Sequence, residues 1–277
     1  MSALPALVGV PSIGPSGRRE DPSESHDALL LAALTADTGR VVAEEALWRQ
    51  TQALALAAHE LRNPLMPIRT VAVLLGKVTD VAQLARLSAI LERQVMHMTR
   101  LIDDLLDAAR VATGKLHLDR VRLDLHEVFD HVVDVCQPAM DARRQVFSIR
   151  VPERALVLEG DLVRLTQVFA NILNNASKYT PPCGTIGLDC HVNAIGEGAG
   201  EVVVVITDNG IGISPEALPL IWEPFVQDPL AIGFSKEGLG VGLTLVRELV
   251  QAHAGSVSAA SAGEAQGSEF TVVLPLA

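Results

Sequence analysis

The chain has 277 residues and a formal net charge of −11, and this acidic balance argues against nucleic-acid binding, which usually needs a basic face. Hydrophobic residues make up 49% of the chain and aromatic residues only 3%, so its cores must be aliphatic. No apolar run approaches the roughly 18 residues of a membrane span, and the three cysteines lack the spacing of a zinc site or a disulfide framework. We therefore expect a soluble cytoplasmic protein of about two domains, without membrane insertion.

The N-terminal part of the chain predicts a tether followed by two long helices. Residues 1–26 are rich in proline, and we expect them to be disordered or to act as a tether. Residues 27–77 and 81–113 carry apolar side chains at heptad spacing, and the short connection between them predicts an antiparallel hairpin. Because one hairpin cannot bury such seams alone, residues 27–118 predict a homodimer that forms a four-helix bundle.

After Gly114 the pattern changes to interleaved helices and strands. Helices are predicted at 126–143 and 161–178, and strands at 145–151, 155–159, 185–192, 201–207 and 269–276. These elements follow no strict strand–helix–strand rhythm, so residues 119–277 predict an α/β sandwich. The predicted fold class is therefore α+β, with a helical hairpin domain followed by a sandwich domain.

A histidine on the first long helix is the candidate nucleophile. It opens the segment HELRNPL, residues 59–65, in which His59 falls on the face opposite the apolar seam and Asn63 shares that face. The carboxylate of Glu60 can hold the proton of one ring nitrogen and raise the nucleophilicity of the other. Pro64 predicts a kink just after this turn. Taken alone, such a histidine is more often an ordinary surface residue.

Two segments in the second half of the chain predict a site for a phosphorylated ligand. Three polar residues share one face of the helix 161–178: Asn171, Asn175 and Lys178. Amide oxygens and an ammonium group suit Mg²⁺ and phosphate. Three more residues follow the buried strand 201–207: Asp208, Gly210 and Gly212. A carboxylate there can accept from the amino group of a nucleobase. A capped helix end and a surface turn are the simpler alternatives.

Two further segments extend the predicted site. The apolar segment 222–225 ends at Phe225 and predicts a hinge. Glycines then precede a helix that we expect to extend to about residue 253: Gly238, Gly240 and Gly242. Backbone N–H groups and the positive dipole end of that helix can face phosphates. The loop is no Walker A motif, because no Gly-Lys-Ser/Thr follows, and no strand leads straight into it as in a dinucleotide fold.

Residues 53–70 and 93–115 resemble the dimerisation and phosphoacceptor hairpin of bacterial sensor histidine kinases. In that family the histidine of the H-E-x-x-[TN]-P-L box is autophosphorylated, which implies His59. By the same resemblance Glu60 is the acid/base residue, and Asn63 orients water when the domain dephosphorylates its partner. The four later segments resemble the N, G1, F and G2 boxes of the histidine kinase ATPase domain, whose fold is shared with type II topoisomerases and Hsp90 chaperones.

The second resemblance covers about residues 122–277 and implies ATP and Mg²⁺ as cofactors. It implies that Asn175 is the metal ligand, that Lys178 contacts phosphate and that Tyr179 lies beside the nucleotide. Asp208 would bind the adenine amino group, and Asn171 takes the position of the catalytic glutamate of ATP-hydrolysing relatives, which favours a kinase. The remaining implied nucleotide-binding residues are Gly210, Gly212, Phe225, Gly238, Gly240 and Gly242, with a mobile lid at about 226–237.

These resemblances imply a homodimeric two-component kinase that phosphorylates His59 and then passes the phosphoryl group to an aspartate of a response regulator receiver domain. The roughly 45 residues before the hairpin are too few for a typical folded sensor domain, so we expect the signal to come from a separate sensor protein, from the N-terminal helix or from a region outside this sequence. Two alternatives stay open: a degenerate phosphorelay scaffold or binding module, and a regulator dominated by phosphatase activity. The heptad seam argues against a serine kinase of the anti-sigma type.

Overall fold

The computed structural model describes residues 55, 57–76, 78, 80–112, 117–193, 200–234 and 238–277. All of them belong to one compact unit, Ala53–Ala277. The predicted tether and the first half of the predicted first helix lie outside the described residues, and so do most of the predicted loop 194–200 and the end of the predicted lid. The proposed domain boundaries stay predictions.

The N-terminal part of the described chain is a helical hairpin. Its helices are α1, residues 57–75, and α2, Val81–Ala112. Ala57 and Leu61 of α1 belong to one apolar cluster with Leu101 and Leu105 of α2. The two pairs lie at similar distances along the chain from the connection between the helices, so α1 and α2 run antiparallel, as predicted. No helix of the described ranges combines the length and the apolar character that crossing a bilayer requires.

The rest of the described chain is an α/β sandwich. Its strands are β1 Val121–Asp124, β2 Val146–Arg150, β3 Val157–Gly160, β4 Thr185–Asn193, β5 Glu201–Asp208, β6 Ser256–Ala260 and β7 Ser268–Pro275. Its helices are α3 Leu125–Ala142, α4 Leu162–Tyr179, α5 Pro229–Phe234 and α6 Gly242–Ala252. Five strands form a mixed sheet in the order β2-β4-β5-β7-β6, in which β2 and β4 are parallel and the other pairs antiparallel. Strands β1 and β3 form a separate antiparallel pair.

Helices α3, α4 and α6 pack their apolar faces against the five-stranded sheet. Phe169 of α4 is completely buried and meets the ring of Phe129 of α3 edge-on at 5.4 Å. In β4, Ile186 and Leu188 enter the core while their neighbours do not, because successive side chains of a strand point to opposite faces. The core is almost entirely aliphatic, as the composition requires, and it holds the carboxyl ends of α4 and β5 in fixed positions.

Three short elements are not predicted by the sequence pattern: β1, β6 and α5. Strand β1 has four residues and helix α5 has six, which is too short for a periodic signal. Strand β6 reads Ser-Val-Ser-Ala-Ala and lacks the large apolar residues of a typical strand, yet it pairs with β7 along its whole length. Tertiary contacts therefore form elements here that local propensity does not indicate. The strands and sandwich helices that the sequence does predict agree with the structure within about two residues at each end.

A buried histidine joins the start of α4 to the end of α6. The His253 Nε2 accepts a hydrogen bond from the backbone N–H of Asp161 at 3.0 Å, and its Nδ1 lies 2.7 Å from the carbonyl oxygen of Leu249. Only the neutral ring that carries its proton on Nδ1 satisfies both partners. Burial lowers the pKa of His253, which favours the same neutral form.

Replacing His253 with glutamine should make the fold less sensitive to acid. Because the pKa of His253 is lowered in the folded protein, the unfolded chain binds a proton first as the pH falls. The stability that the neutral ring contributes is therefore present above the unfolded pKa of about 6.5 and is lost as the pH falls from there toward the lower folded pKa. We expect the urea midpoint of the wild type to fall more between about pH 7.5 and about pH 5.5 than that of His253→Gln.

The exposed His131 provides the control, since His131→Gln should leave the pH dependence of the urea midpoint as it is in the wild type. An equal loss of stability in His253→Gln and in the wild type would show that another group titrates in this range.

Candidate active site

A cavity of about 610 Å³ opens where α4, β5 and α6 meet, which is within the usual range of about 300 to 1,000 Å³ for small-ligand sites. Most of the residues predicted to bind a nucleotide line it together: Asn171, Asn175, Lys178, Tyr179, Asp208, Gly212, Gly238, Gly240 and Gly242. Segments that lie up to about 70 residues apart in the sequence therefore share one wall. The apolar hinge segment makes a different contribution, described below.

One wall of the cavity is the exposed face of α4. The Lys178 ammonium donates a hydrogen bond to the Tyr179 hydroxyl at 2.8 Å and lies 4.6 Å from the centroid of that ring. The Asn171 amide donates to the carbonyl oxygen of Gly242 at 3.4 Å, so this face of α4 is connected to the first residue of α6. Asn175, between them on the same face, presents its amide to the cavity. The face thus offers amide groups and one cation to a ligand.

The opposite end of the cavity is built on the sheet. Asp208 is the last residue of β5 and pairs with Ser268, the first residue of β7. The Ser268 hydroxyl donates a hydrogen bond to the Asp208 carboxylate, and the Gly210 backbone N–H donates to its Oδ1 at 2.8 Å. Burial raises the pKa of Asp208, and these hydrogen bonds oppose the rise. The carboxylate is therefore held in one orientation by the register of two neighbouring strands.

Two glycines after β5 are required by the tight packing of this end. Gly212 has a φ of +73°, and a Cβ atom there would lie 2.0 Å from the carbonyl oxygen of Gly263. A Cβ atom at Gly210 would lie 2.5 Å from the carbonyl oxygen of Tyr179. Gly212 lines the cavity, whereas Gly210 lies behind it and supports Asp208.

The third wall is the glycine loop in front of α6. Gly238 and Gly240 have φ values of +106° and +71°, which favour glycine. A Cβ atom at Gly238 would lie 3.6 Å from the Lys178 Nζ, so the loop and α4 meet at this point. Val241 precedes α6 and makes no side-chain capping hydrogen bond. Backbone N–H groups at the start of α6 are thus left to bind an anion, together with the Lys178 cation.

Phe225 does not line the cavity but packs against the helical hairpin. Its side chain contacts the apolar cluster that includes Leu101, Leu239 and Val241, and its backbone N–H donates to the Gly240 carbonyl oxygen at 2.9 Å. The predicted hinge segment therefore supports the glycine loop from behind. Its Trp222 meets the ring of Phe270 edge-on at 6.2 Å, which anchors the segment to β7.

The candidate nucleophile lies next to the glycine loop. The His59 side chain is 66% exposed, and its Nδ1 lies 3.5 Å from the Glu60 Oε1. Glu60 is buried, and its Oε1 accepts from the Asn63 amide at 3.3 Å. The backbone N–H of Gly238 donates to the Glu60 Oε2 at 3.4 Å. The predicted phosphoacceptor turn and the predicted phosphate-binding loop are thus in direct contact through one carboxylate.

Helix α2 also contributes to the cavity wall, which the sequence analysis missed. Its cavity-lining residues are His97, Arg100 and Leu101. Two basic residues at i and i+3 are a visible signal, but a sequence cannot show which surface of another domain such a pair will face. Ser268 and Arg143 also line the cavity without having been singled out. Arg143 lies at the end of α3, and its guanidinium donates to the Thr180 carbonyl oxygen at 2.8 Å.

A cavity of small-ligand size beside an exposed histidine is the arrangement expected of a histidine kinase core, and two family matches agree with it. Residues 49–114 match the His Kinase A (phospho-acceptor) domain. Residues 160–277 match the family described as histidine kinase-, DNA gyrase B- and HSP90-like ATPase. The chain therefore has the histidine kinase core, a phosphoacceptor hairpin followed by an ATPase domain of the histidine kinase type.

Sensor histidine kinases of several organisms are similar to this chain over most of its length. The sensor histidine kinase TrcS of Mycobacterium tuberculosis is 35% identical over 82% of this chain and 44% of its own length. The adaptive-response sensory kinase SasA of Synechococcus elongatus is 31% identical over 81% of this chain and 59% of its own length. The sensor protein GacS of Pseudomonas syringae is 26% identical over 93% of this chain and 28% of its own length, so the chain spans about a quarter to three fifths of these three relatives.

Solved structures agree on the fold. The full-length structure of ShkA in complex with AMPPNP aligns with a TM-score of 0.58 and 28% identity, over 82% of this chain and 46% of that one. The Acinetobacter baumannii histidine kinase AdeS aligns with a TM-score of 0.57 over 79% of this chain, and at 22% identity it supports the fold alone.

Replacing Gly212 with alanine should distort the end of the cavity that is built on the sheet. The new Cβ would meet the Gly263 carbonyl oxygen at 2.0 Å, and alanine at positive φ costs about 1–2 kcal/mol before any clash. We expect a lower melting temperature and weaker nucleotide binding, measured by thermal unfolding with and without ATP.

Gly76→Ala is the matched control, because a Cβ there meets nothing within 4 Å and its φ lies outside the left-handed region. If both variants melted and bound ATP alike, the tight approach at Gly212 would have no bearing on the site.

Proposed function

We propose that this chain is an ATP-dependent protein-histidine kinase that phosphorylates its own His59 and passes the phosphoryl group to an aspartate of a response regulator. The observation that carries the proposal is the hydrogen bond from the Gly238 N–H to Glu60, because it joins the phosphate end of the cavity to the turn that bears the histidine. A degenerate scaffold is not favoured, since the cavity and the histidine are present together and in contact.

The ATPase domain implies that ATP is the nucleotide, and the lining of the cavity supports an orientation for it. Asp208 at the sheet end suits the adenine amino group, because its carboxylate can accept a hydrogen bond from that group. The start of α6 and Lys178 at the other end suit the polyphosphate. In this orientation the γ-phosphate points toward Gly238 and the hairpin, and the base lies at the sheet end beside Asp208.

The residues present also fit a magnesium ion. Asn175 and Asn171 offer amide oxygens to the cavity, and Mg²⁺ is usually held by few protein ligands together with substrate phosphates. Within the described ranges no cluster of three or more His, Cys, Asp or Glu side chains could hold a metal alone. We therefore assign the metal to Asn175 and the nucleotide jointly; when bound, it would neutralise charge on the phosphate oxygens.

The transfer step follows from the arrangement of His59 and Glu60. The Glu60 Oε1 lies 3.5 Å from the His59 Nδ1, so the carboxylate can hold the Nδ1 proton and leave the Nε2 lone pair to act as the nucleophile. The Nε2 attacks the γ-phosphorus, a nitrogen–phosphorus bond forms, and the bond from phosphorus to the bridging oxygen of the leaving ADP breaks. Lys178 and the N–H groups of α6 stabilise the charge that develops on the phosphate oxygens. The protein's contribution is mainly one of positioning.

The hairpin leaves a second apolar face uncovered, which supports the proposed homodimer. Large apolar side chains between 41% and 60% exposed lie along it: Leu65, Met66, Val73 and Leu74 on α1, and Val95, Met96, Ile102 and Leu106 on α2. Contiguous apolar surface of this kind marks an interaction site, and a second hairpin would cover it in a four-helix bundle. A separate sensor protein, phosphatase activity through Asn63 and a cytoplasmic location remain predictions of the sequence.

Incubation of the purified chain with radiolabelled ATP and Mg²⁺ should produce acid-labile, base-stable phosphate on the protein. His59→Ala should abolish the label because it removes the attacking nitrogen, while ATP affinity stays within about twofold because His59 does not line the cavity. The control is His131→Ala, which removes an exposed histidine outside the hairpin and should be labelled like the wild type. Label that remains on the His59→Ala protein would rule out this residue as the acceptor.

Replacing Asn175 with alanine should weaken binding of ATP in the presence of Mg²⁺ by about tenfold or more, since it removes the proposed metal ligand, and should change binding in EDTA much less. Isothermal titration with both forms of the nucleotide would measure the difference. An affinity unchanged in both conditions would contradict the metal assignment and would favour the scaffold alternative.

A further inference from the structure

A buried carboxylate joins the hairpin to the ATPase domain at a point that the active site does not use. Asp107 of α2 is 5% exposed at its side chain. Both of its oxygens lie 3.2 Å from the Arg164 Nη1, and its Oδ2 accepts from the Gln167 amide at 2.7 Å. Arg164 and Gln167 both belong to α4, the helix that also bears the nucleotide-binding asparagines.

These contacts form a connected network. The Arg164 Nη1 also donates to the Gln167 Oε1 at 2.8 Å, and Arg110, one turn further along α2, donates to the Asp107 Oδ1 at 3.1 Å. The Asp107 Oδ1 therefore accepts from two guanidinium groups, and the Oδ2 accepts from one guanidinium group and one neutral amide. A carboxylate this deeply buried is stable only while its donors remain, so undocking the two domains would have to return it to water.

The network and the apolar cluster attach the hairpin to the ATPase domain at two separate points. In the apolar cluster, Leu101 of α2 packs with Leu239 and Val241 of the glycine loop. Asp107 lies six residues further along the same helix, about 9 Å away at the rise of an α-helix. Apolar contacts are not directional and allow sliding or rotation, whereas a carboxylate held by Arg164 and Gln167 allows one register.

We propose that Asp107, together with Arg164 and Gln167, is the positioning contact that sets the docking register in which the glycine loop meets Glu60 and His59. The residue touches neither nucleotide nor histidine, so it acts through the relative placement of the two domains. This inference rests on the proposed kinase function, because its consequence is the rate of phosphoryl transfer. Binding of ATP, which needs only the cavity, should be independent of it.

Asp107→Asn is the sharpest test because it keeps the shape of the side chain and removes its charge. The NH₂ group of the new asparagine needs hydrogen-bond acceptors, but Arg164 and Gln167 present donors to this position. We expect the autophosphorylation rate at saturating ATP to fall about tenfold or more, with the KM for ATP and its affinity within about twofold of the wild type. Asp103→Asn removes the same charge from an exposed position one turn earlier on α2 and should leave the rate unchanged.

Two variants on the other side of the contact separate positioning from general loss of structure. Arg164→Lys keeps the cation and should retain more of the rate than Arg164→Met. The exchanged pair Asp107→Arg with Arg164→Asp should recover rate relative to either single change, since the opposite charges again face each other. A normal rate for Asp107→Asn overturns the proposal, as does a faster one, which would place the contact in a resting state of the kinase.

Docking can also be measured without kinase activity. Cys183 on the ATPase domain is exposed, whereas Cys136 and Cys190 are buried. Spin labels at Cys183 and at the exposed position of Ser88→Cys on α2 would therefore report the distance between the two domains. Labelled chains diluted with unlabelled ones should show one narrow distance in the wild type and a broad distribution in Asp107→Asn. If the wild type takes no phosphate from ATP, the kinase function fails. Equal distance distributions in the wild type and Asp107→Asn would instead overturn the proposed positioning role of Asp107.

Discussion

The segment 238–241 has to satisfy two surfaces at once, and the arrangement of the active site depends on this. Its glycines, Gly238 and Gly240, have positive φ values and bring the backbone close to α4 and to the cavity. The residues after them, Leu239 and Val241, are 2% and 4% exposed and pack in the apolar cluster of the hairpin. The loop therefore cannot bind a nucleotide in one shape and the hairpin in another without changing both contacts.

Because the loop makes both contacts, the two domains are expected to dock in this arrangement only while the loop keeps this conformation. The apolar cluster is small, and domain interfaces of this kind are usually mobile unless they are large and apolar. Burying a side chain such as Leu239 contributes on the order of 1.5–3 kcal/mol, enough to favour docking but not to make it permanent. The proposed function requires docking to be reversible, because a response regulator would have to reach the phosphorylated histidine afterwards. The 66% exposure of the His59 side chain agrees with that requirement.

The parts of the site that the sequence predicts are those built from neighbouring residues. Asn171, Asn175 and Lys178 are separated by helical spacing, and Gly238, Gly240 and Gly242 belong to one short segment, so their common faces can be derived without a structure. Ser268 could not be assigned in this way, because it reaches Asp208 only through the register of β5 and β7. The same applies to β6, whose small residues give no strand signal and whose pairing with β7 is a tertiary effect.

Phe225 shows a different limit of sequence reasoning. The pattern indicates an apolar residue close to the site, and the structure agrees, yet the side chain packs in the apolar cluster shared by the hairpin and the glycine loop and does not line the cavity. The direction of a side chain in a loop depends on which surface offers apolar contacts, and here that surface belongs to another part of the chain. Such an assignment requires knowledge of how the two domains dock, which no local pattern contains.

An acidic protein with a net charge of −11 can still bind a polyphosphate, because the field at the cavity is set locally. Lys178, Arg100, Arg143 and His97 all line the cavity, and the open start of α6 adds the partial positive charge of its N–H groups. Charges elsewhere on the surface are largely screened beyond about 8–10 Å at physiological salt. Two of these four side chains, His97 and Arg100, come from α2, so the hairpin contributes part of the polar lining of the cavity. The residues that line the cavity, and not the net charge of the chain, therefore decide which ligand it can bind.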